Sequence, residues 1–382
     1  MKFITAESVT AGHPDKLADY IADCILDECM AQDRESRVAC EVMLSHEVLM
    51  IAGEITTNAK VDYQAVAEKA IKQIGYEPPD SFVDDIFAQS PDIKQAVDES
   101  DKHEQGAGDQ GIVYGYATND TLSQLPLAAD LAHRLTDNLM RMRESRNELK
   151  LGADGKAQVT VAYGEDDKFR HIASVLVSVQ HDADADLDAL RDGVRELIIK
   201  PALCDFDISQ TEIIINPSGR FVKGGFEADT GLTGRKLMVD TYGGVAHHGG
   251  GAMSGKDPSK VDRSGAYMAR YIANAIVKAD LADKCEIAIA YAIGRAQPTA
   301  VNVDTFGTWT TAPDRYIADA IRKAFDLTPA GIIRQLKLKD IGYKHTAIYG
   351  HFGCDKGYPW EFVDKATVTR LKTAVKEVMH EC

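Results

Sequence analysis

Between Gly249 and Ser264 the chain reads G-G-G-A-M-S-G-K-D-P-S-K-V-D-R-S. Consecutive glycines leave backbone N–H groups open to phosphate oxygens, because no side chain stands in the way. Lys256, Lys260 and Arg263 add positive charge. Asp257 and Asp262 offer the hard oxygens that Mg²⁺ prefers. The chemistry this stretch suits is the holding of a polyphosphate together with its metal. Gly250, four intervening residues and Gly255-Lys256 match the spacing of a nucleotide P-loop. Position 257 must then be Ser or Thr to bind the metal, and here it is Asp257, followed by Pro258. No apolar strand leads into the loop either, so the P-loop is rejected and the phosphate chemistry kept. A plainer reading makes Asp257 a helix cap and Pro258 the first helical residue. That explains the Asp-Pro pair but not three glycines framed by cations.

Other stretches carry similar residue types. Gly12-His13-Pro14-Asp15-Lys16 places polar side chains at a helix N-terminus, which favours anions. His13 is a candidate phosphate donor and Asp15 a candidate metal ligand, with simple capping as the alternative. Glu54 ends an apolar strand, where it can hold an ammonium group or sit exposed. Glu41 on the preceding strand has the same two readings. Glu104 to Gly111 packs three glycines around Asp109, more than a turn needs. Asp154-Gly155-Lys156 and Ser218-Gly219-Arg220-Phe221 read as turns bearing a cation. Asp229 leads to T-G-L-T-G-Arg235-Lys236, where glycines again precede paired cations. His247-His248 lacks a third ligand, so no metal is assigned there.

These residues need a scaffold of alternating elements. Leu17, Ile21, Ile25 and Cys29 recur every four residues and mark a helix from Pro14. The sequence predicts strands at 48–55, 159–163, 172–179, 212–215 and 286–293. Helices are predicted at 61–74, 186–200 (ended by Pro201), 259–278 and 318–325. Glu77 to Gln105 has no periodicity and reads as one long loop, of the kind that forms lids. Mixed α/β units follow. At 382 residues there is room for two or three domains. The net charge of −16 argues against nucleic acid or an anionic membrane as target. Between Arg220 and Arg263, however, seven Lys/Arg outnumber five Asp/Glu, which suits a small anionic ligand. Seven scattered cysteines with no C-x-x-C pair point to reduced thiols, no zinc and a cytoplasmic location. No stretch is long and apolar enough to span a membrane.

Together the motifs resemble the S-adenosylmethionine synthetase family over nearly the whole chain. They are G-H-P-D-K at 12–16, G-E-I-T-T at 53–57, Q-S-P-D-I at 89–93 and Q-G-A-G-D-Q-G at 105–111. G-L-T-G-R-K follows at 231–236, V-D-T-Y-G-G at 239–244, G-K-D-P-S-K-V-D-R-S at 255–264 and Y-G-H-F-G at 349–353. The resemblance implies three similar mixed α/β domains in pseudo-threefold arrangement, with sheets packed at a dimer interface. The expected domains are 1–95, 106–223 and 225–370. It implies synthesis of S-adenosylmethionine from ATP and L-methionine by sulfur attack on C5′. Hydrolysis of the expelled triphosphate to phosphate and diphosphate then follows. A catalytically silent homologue is the alternative, disfavoured because no charged site residue is lost. By resemblance His13, Asp154, Lys156, Arg220, Phe221, Asp229, Arg235, Lys236, Ala252 and Lys256 contact ATP. Glu54, Gln89, Asp229 and Lys260 bind methionine, and Asp109 lies near its sulfur. His13, Asp109, Lys156, Arg235 and Lys256 are the expected catalytic residues. Asp15 and Asp262 hold two Mg²⁺ and Glu41 serves K⁺. Residues 89–99 match a gating loop. The implied assembly is a homodimer with shared active sites, paired into a homotetramer. Several stretches depart from the family pattern, among them a shortened 75–89 segment and His247 where Arg is frequent; no implied ligand is lost.

Overall fold

The computed structural model describes residues 1–88, 106–145, 148–353 and 357–381. Its strands and helices form a mixed α/β fold built on three sheets among these residues. Strand β1 (Lys2–Val9) leads into helix α1 (Pro14–Gln32), which starts with a proline at its first position as the sequence predicts. Strands β2 (Arg37–Ser45) and β3 (Val48–Thr56) form a hairpin. In β2 the alternate residues Val38, Cys40, Val42 and Leu44 are buried, so Arg37, Ala39 and Glu41 share the opposite face. Helix α2 (Tyr63–Ile74) is capped by Asp62 and closed by Gly75 at φ 100°.

Strand β4 (Ser81–Phe87) pairs parallel to β3, which corrects the expectation of loop from Glu77 onward. Its side chains are mostly exposed on both faces, so no alternation marks it; its main-chain ladder holds it. The expected lid, Gln89 to Gln105, lies outside the described residues, and with it Gln89.

Strand β5 (Gly111–Thr118) and helix α3 (Leu127–Ser145) follow. Strand β6 (Leu151–Tyr163) contains Asp154-Gly155-Lys156, which the sequence reads as a turn. The pairing with β7 (Phe169–His181) shifts register between Leu151 and Gly155, so Asp-Gly marks a bulge within a strand. Helix α4 (Leu187–Val194) does not stop at Pro201. A wide π turn, Arg195–Ile199, carries it into a last helical turn, Lys200–Ala202, that includes the proline. Strands β8 (Glu212–Ile215) and β9 (Gly231–Leu232) precede helix α5 (Val261–Lys278). Pro258 therefore lies outside this helix, whose cap position is Lys260, not Asp257. Strands β10 (Lys284–Tyr291) and β11 (Ala300–Asp304) lead to helices α6 (Asp314–Ala324), α7 (Pro329–Gln335) and α8 (Lys365–Glu381).

The sheets run β1-β6-β7-β8, β11-β10-β5 and β4-β3-β2-β9. Each takes one strand from a distant part of the chain: β1 joins β6, β5 joins β10, and β9 joins β2. One core packs α1, α2 and α5 with the β4-β3-β2-β9 and β11-β10-β5 sheets; a second packs α3 and α4 on β6 and β7. Burying each large aliphatic side chain contributes about 1.5–3 kcal/mol, and α1 alone buries Leu17, Ile21, Ile25 and Leu26 completely.

Candidate active site

Helix α1 supplies the first group. His13, at its cap, accepts the Asp15 N–H through Nδ1 at 3.2 Å, which leaves the ring proton on Nε2. Burial, reinforced by Lys236 and Lys156, lowers its pKa to about 3. His13 is thus a neutral donor, not one of the cations the sequence allowed it to be. Asp15 accepts the Leu232 N–H at 3.0 Å and the Lys236 ammonium at 2.8 Å, with Arg235 Nε at 3.6 Å. Its pKa is lowered: burial opposes ionisation, but the Lys236 and Leu232 hydrogen bonds outweigh it.

Asp154 stands near this group at the β6 bulge. Its Oδ2 accepts the Gly225 N–H at 2.8 Å, while its buried Oδ1 has no hydrogen-bond partner among the described residues. Burial raises its pKa. A buried acceptor without a donor is costly and fits a ligand hydroxyl or amine. Lys156 is exposed two residues further along the strand. Asp229, on the turn after Gly225, adds charge near Asp154. Gln180 accepts the Asp154 N–H at 3.2 Å and donates to Val222 O at 3.1 Å, linking the bulge to the Arg220-Phe221 segment. Arg220 itself donates to Ala183 O at 2.8 Å, and the Phe221 main chain pairs with His181. Neither contacts the His13 group directly in this structure.

The second group surrounds a cleft of about 200 Å³ lined by Arg37, Glu54, Asp109, Lys256, Lys260 and Asp262, among others. Lys256 and Asp262 form an ion pair at 2.5 Å. Lys260 pairs with buried Asp257 at 3.1 Å, and Asp257 also accepts the Val38 N–H at 2.8 Å. Asp257 is therefore a brace for the loop and not an open metal ligand. Asp109 is exposed and accepts its neighbour's N–H from Gln110 at 2.7 Å. Glu54 lies opposite Ala39 in the β2–β3 ladder. Glu41, on the same face of β2, has its pKa raised by loss of water and held back by nearby Lys256.

The glycine loop holds the two groups in register. A side chain at Gly234 would lie 2.5 Å from the Cβ of Ala252, so the Arg235 turn and the glycine loop touch. A methyl at Gly251 would lie 2.2 Å from the Asp262 carboxylate. His248 accepts the Gly250 N–H at 2.8 Å, and Glu286 holds His247 through both its N–H and its ring. No group of three or more His, Cys, Asp or Glu residues suited to a metal occurs among the described residues. The carboxylates of Asp15 and Asp262 nonetheless suit Mg²⁺ in donor type, each now neutralised by a lysine.

The sequence did not single out Asp19, Asp23 or Asp27. With Asp15 they repeat every four residues along one side of α1, and each holds a separate loop. Asp19 accepts from Gly234, Asp23 from Gly255, and Asp27 from Tyr343 and Lys344. The D-x-x-x-D spacing was the available signal. Lys16 is buried between Asp19 and Asp240.

Family models for the S-adenosylmethionine synthetase N-terminal, central and C-terminal domains match residues 1–100, 104–221 and 223–362. An S-adenosylmethionine synthase 1 from Rhodopseudomonas palustris is 50% identical, covering 95% of this chain and 96% of its own. An S-adenosylmethionine synthase from Staphylococcus epidermidis is 47% identical, covering 98% of each. The chain belongs to the S-adenosylmethionine synthetase family.

Proposed function

We infer that the protein is a methionine adenosyltransferase, joining ATP and L-methionine to S-adenosylmethionine and splitting the expelled triphosphate. The observation that carries this reading is the pairing of each candidate metal carboxylate with a lysine: Asp15 with Lys236 and Asp262 with Lys256. A metal triphosphate can enter such pairs by taking the lysine with its phosphate and the carboxylate with its metal.

A thioether is a neutral nucleophile and loses no proton on attack. No general base is needed, and the residues supply alignment and charge. As C5′–O breaks, negative charge gathers on the triphosphate and positive charge on sulfur. Lys156, Arg235, Lys236, Lys256 and the Nε2–H of His13 face the first charge. Asp109 faces the second. Asp154, through its unpartnered oxygen, takes a donor from the adenosine, with Asp229, Arg220, Phe221 and Ala252 around the nucleotide. Glu54, Gln89 and Lys260 hold the methionine. Asp15 and Asp262 would hold two Mg²⁺ per site, which would supply charge neutralisation for the leaving group, and Glu41 would hold K⁺. We place the active sites between two subunits of a homodimer, paired into a tetramer in the cytoplasm. No described helix is long and apolar enough to cross a membrane.

The test is incubation with ATP and methionine, together and singly, with the sulfonium product, phosphate and diphosphate followed. Sulfonium formation that needs both substrates and stops in excess chelator is expected. Phosphate release from ATP alone, without sulfonium, would mark a hydrolase instead.

A further inference from the structure

Asp23 and Arg263 are both fully buried, and they form a bidentate ion pair with N–O distances of 2.9 and 2.6 Å. The pair does more than fill the core between α1 and α5. Asp23 Oδ1 also accepts the Gly255 N–H at 2.8 Å. Arg263 Nη1 also donates to Lys256 O at 2.8 Å. The backbone on both sides of Lys256 is thus held by one pair of opposite charges. Arg263 is in turn fixed on three sides. Its Nε donates to Tyr267 Oη at 3.2 Å, its plane lies over the Tyr343 ring at 4.4 Å, and its Nη2 reaches Thr346 at 3.3 Å. Tyr267 contacts His351 Nδ1 at 2.8 Å, and His351 Nε2 lies 3.4 Å from Ser254 Oγ. The Y-G-H-F-G motif therefore closes onto the same loop through its histidine. Asp262, the other member of the lysine pair, directly precedes Arg263 in the first turn of α5.

We propose that Asp23 and Arg263, supported by Tyr267, are positioning residues for triphosphate: they set the direction of the Lys256 ammonium and the Asp262 carboxylate. This rests on the reading of the site given above. A buried ion pair broken on one side is costly, but a pair used only for stability has no reason to grip the N–H of the residue before a site lysine and the carbonyl of the lysine itself. Arg263 is also always charged and forked, so a lysine in its place keeps the charge and loses the second arm to Lys256 O.

The experiment measures binding of inorganic tripolyphosphate by calorimetry in the parent, Arg263→Lys and Tyr267→Phe, with melting temperatures and the KM of ATP and of methionine. Tyr267→Phe keeps the ring and removes only the hydroxyl, so it reports even where Arg263→Lys fails to fold. Arg263→Lys is expected to weaken tripolyphosphate roughly tenfold or more, and Tyr267→Phe about threefold. The KM of ATP should follow, while that of methionine stays within about twofold. Lower melting temperatures with unchanged tripolyphosphate affinity would overturn the proposal and leave the pair a core brace. Equal rises in both KM values would overturn it too. A parent protein that does not bind tripolyphosphate overturns the reading of the site itself.

Discussion

Lys236 reaches Asp15 across 221 residues of sequence and holds its carboxylate at 2.8 Å. Next to it Arg235 is half exposed, 3.6 Å from the same carboxylate, and is tied otherwise by a 3.4 Å bond to Thr230 O. The two adjacent cations are therefore not equivalent. Lys236 is committed to the Asp15 carboxylate, and Arg235 is the one with reach. Arg235→Leu should accordingly impair cleavage of triphosphate more than its expulsion, because Lys156, Lys236 and Lys256 share the first task. Timing both steps in a single turnover with labelled ATP checks this; equal slowing would assign Arg235 to both.

Asp109→Asn should fold normally, since Oδ1 as an amide oxygen still accepts the Gln110 N–H. It loses the charge that favours the developing sulfonium. A charged contact of about 1.5–3 kcal/mol corresponds to a roughly ten- to hundredfold fall in the rate of sulfonium formation. Unchanged turnover would make Asp109 a turn residue only.

Gly251→Ala probes the cleft from behind. The backbone there does not need a left-handed conformation, so the fold should survive. The methyl occupies the place of the Asp262 carboxylate and pushes it away from Lys256. A misplacement of this size costs on the order of a hundredfold in kcat/KM. Melting temperature and steady-state kinetics measured together test it; full activity would show that Asp262 can act from another rotamer.

Asp240 gives a pH dependence of stability. Burial raises its pKa to about 7, against the attraction of Lys16 and with the repulsion of Asp19. In the unfolded chain it ionises near its ordinary value, so between the two the unfolded state holds fewer protons. Stability from this group is then lost as pH rises towards 7 and is level above it. Asp240→Asn should therefore compare better with the parent at pH 8 than at pH 5 in thermal unfolding. A difference that does not change with pH would mean that Lys16 keeps Asp240 ionised throughout.

What the sequence disclosed depended on the range of the interaction. Helix α1 was legible because Leu17, Ile21, Ile25 and Cys29 declare a buried face locally. Helix α3, absent from the predicted elements, carries the same signal in Leu127, Leu131, Leu135 and Leu139, all buried. Strand β4 was not legible, since its side chains are mostly exposed without alternation and only the ladder to β3 makes it a strand. In the site, residue types announced Lys256, Asp262 and Asp15. The neutrality of His13 was invisible, because burial beside Lys236 and Lys156 sets it. Asp257 reads as a metal-ligand type, with a helix cap as the alternative, and is neither, because its partner, the Val38 N–H, lies 219 residues away.

The exchange of strands among the three sheets has a consequence for how the chain is made. Strand β1 is made well before its partner β6, which begins only at Leu151. At about 5–20 residues per second, β1 waits on the order of ten seconds with its edge open. Strand β5 waits likewise for β10, and β2 for β9. No third of the chain completes its sheet from its own strands, so β1, β2 and β5 stay open on one edge until a later segment arrives. An unpaired strand edge is a template for pairing with another chain, which makes β1, β2 and β5 the segments whose shielding during synthesis matters most.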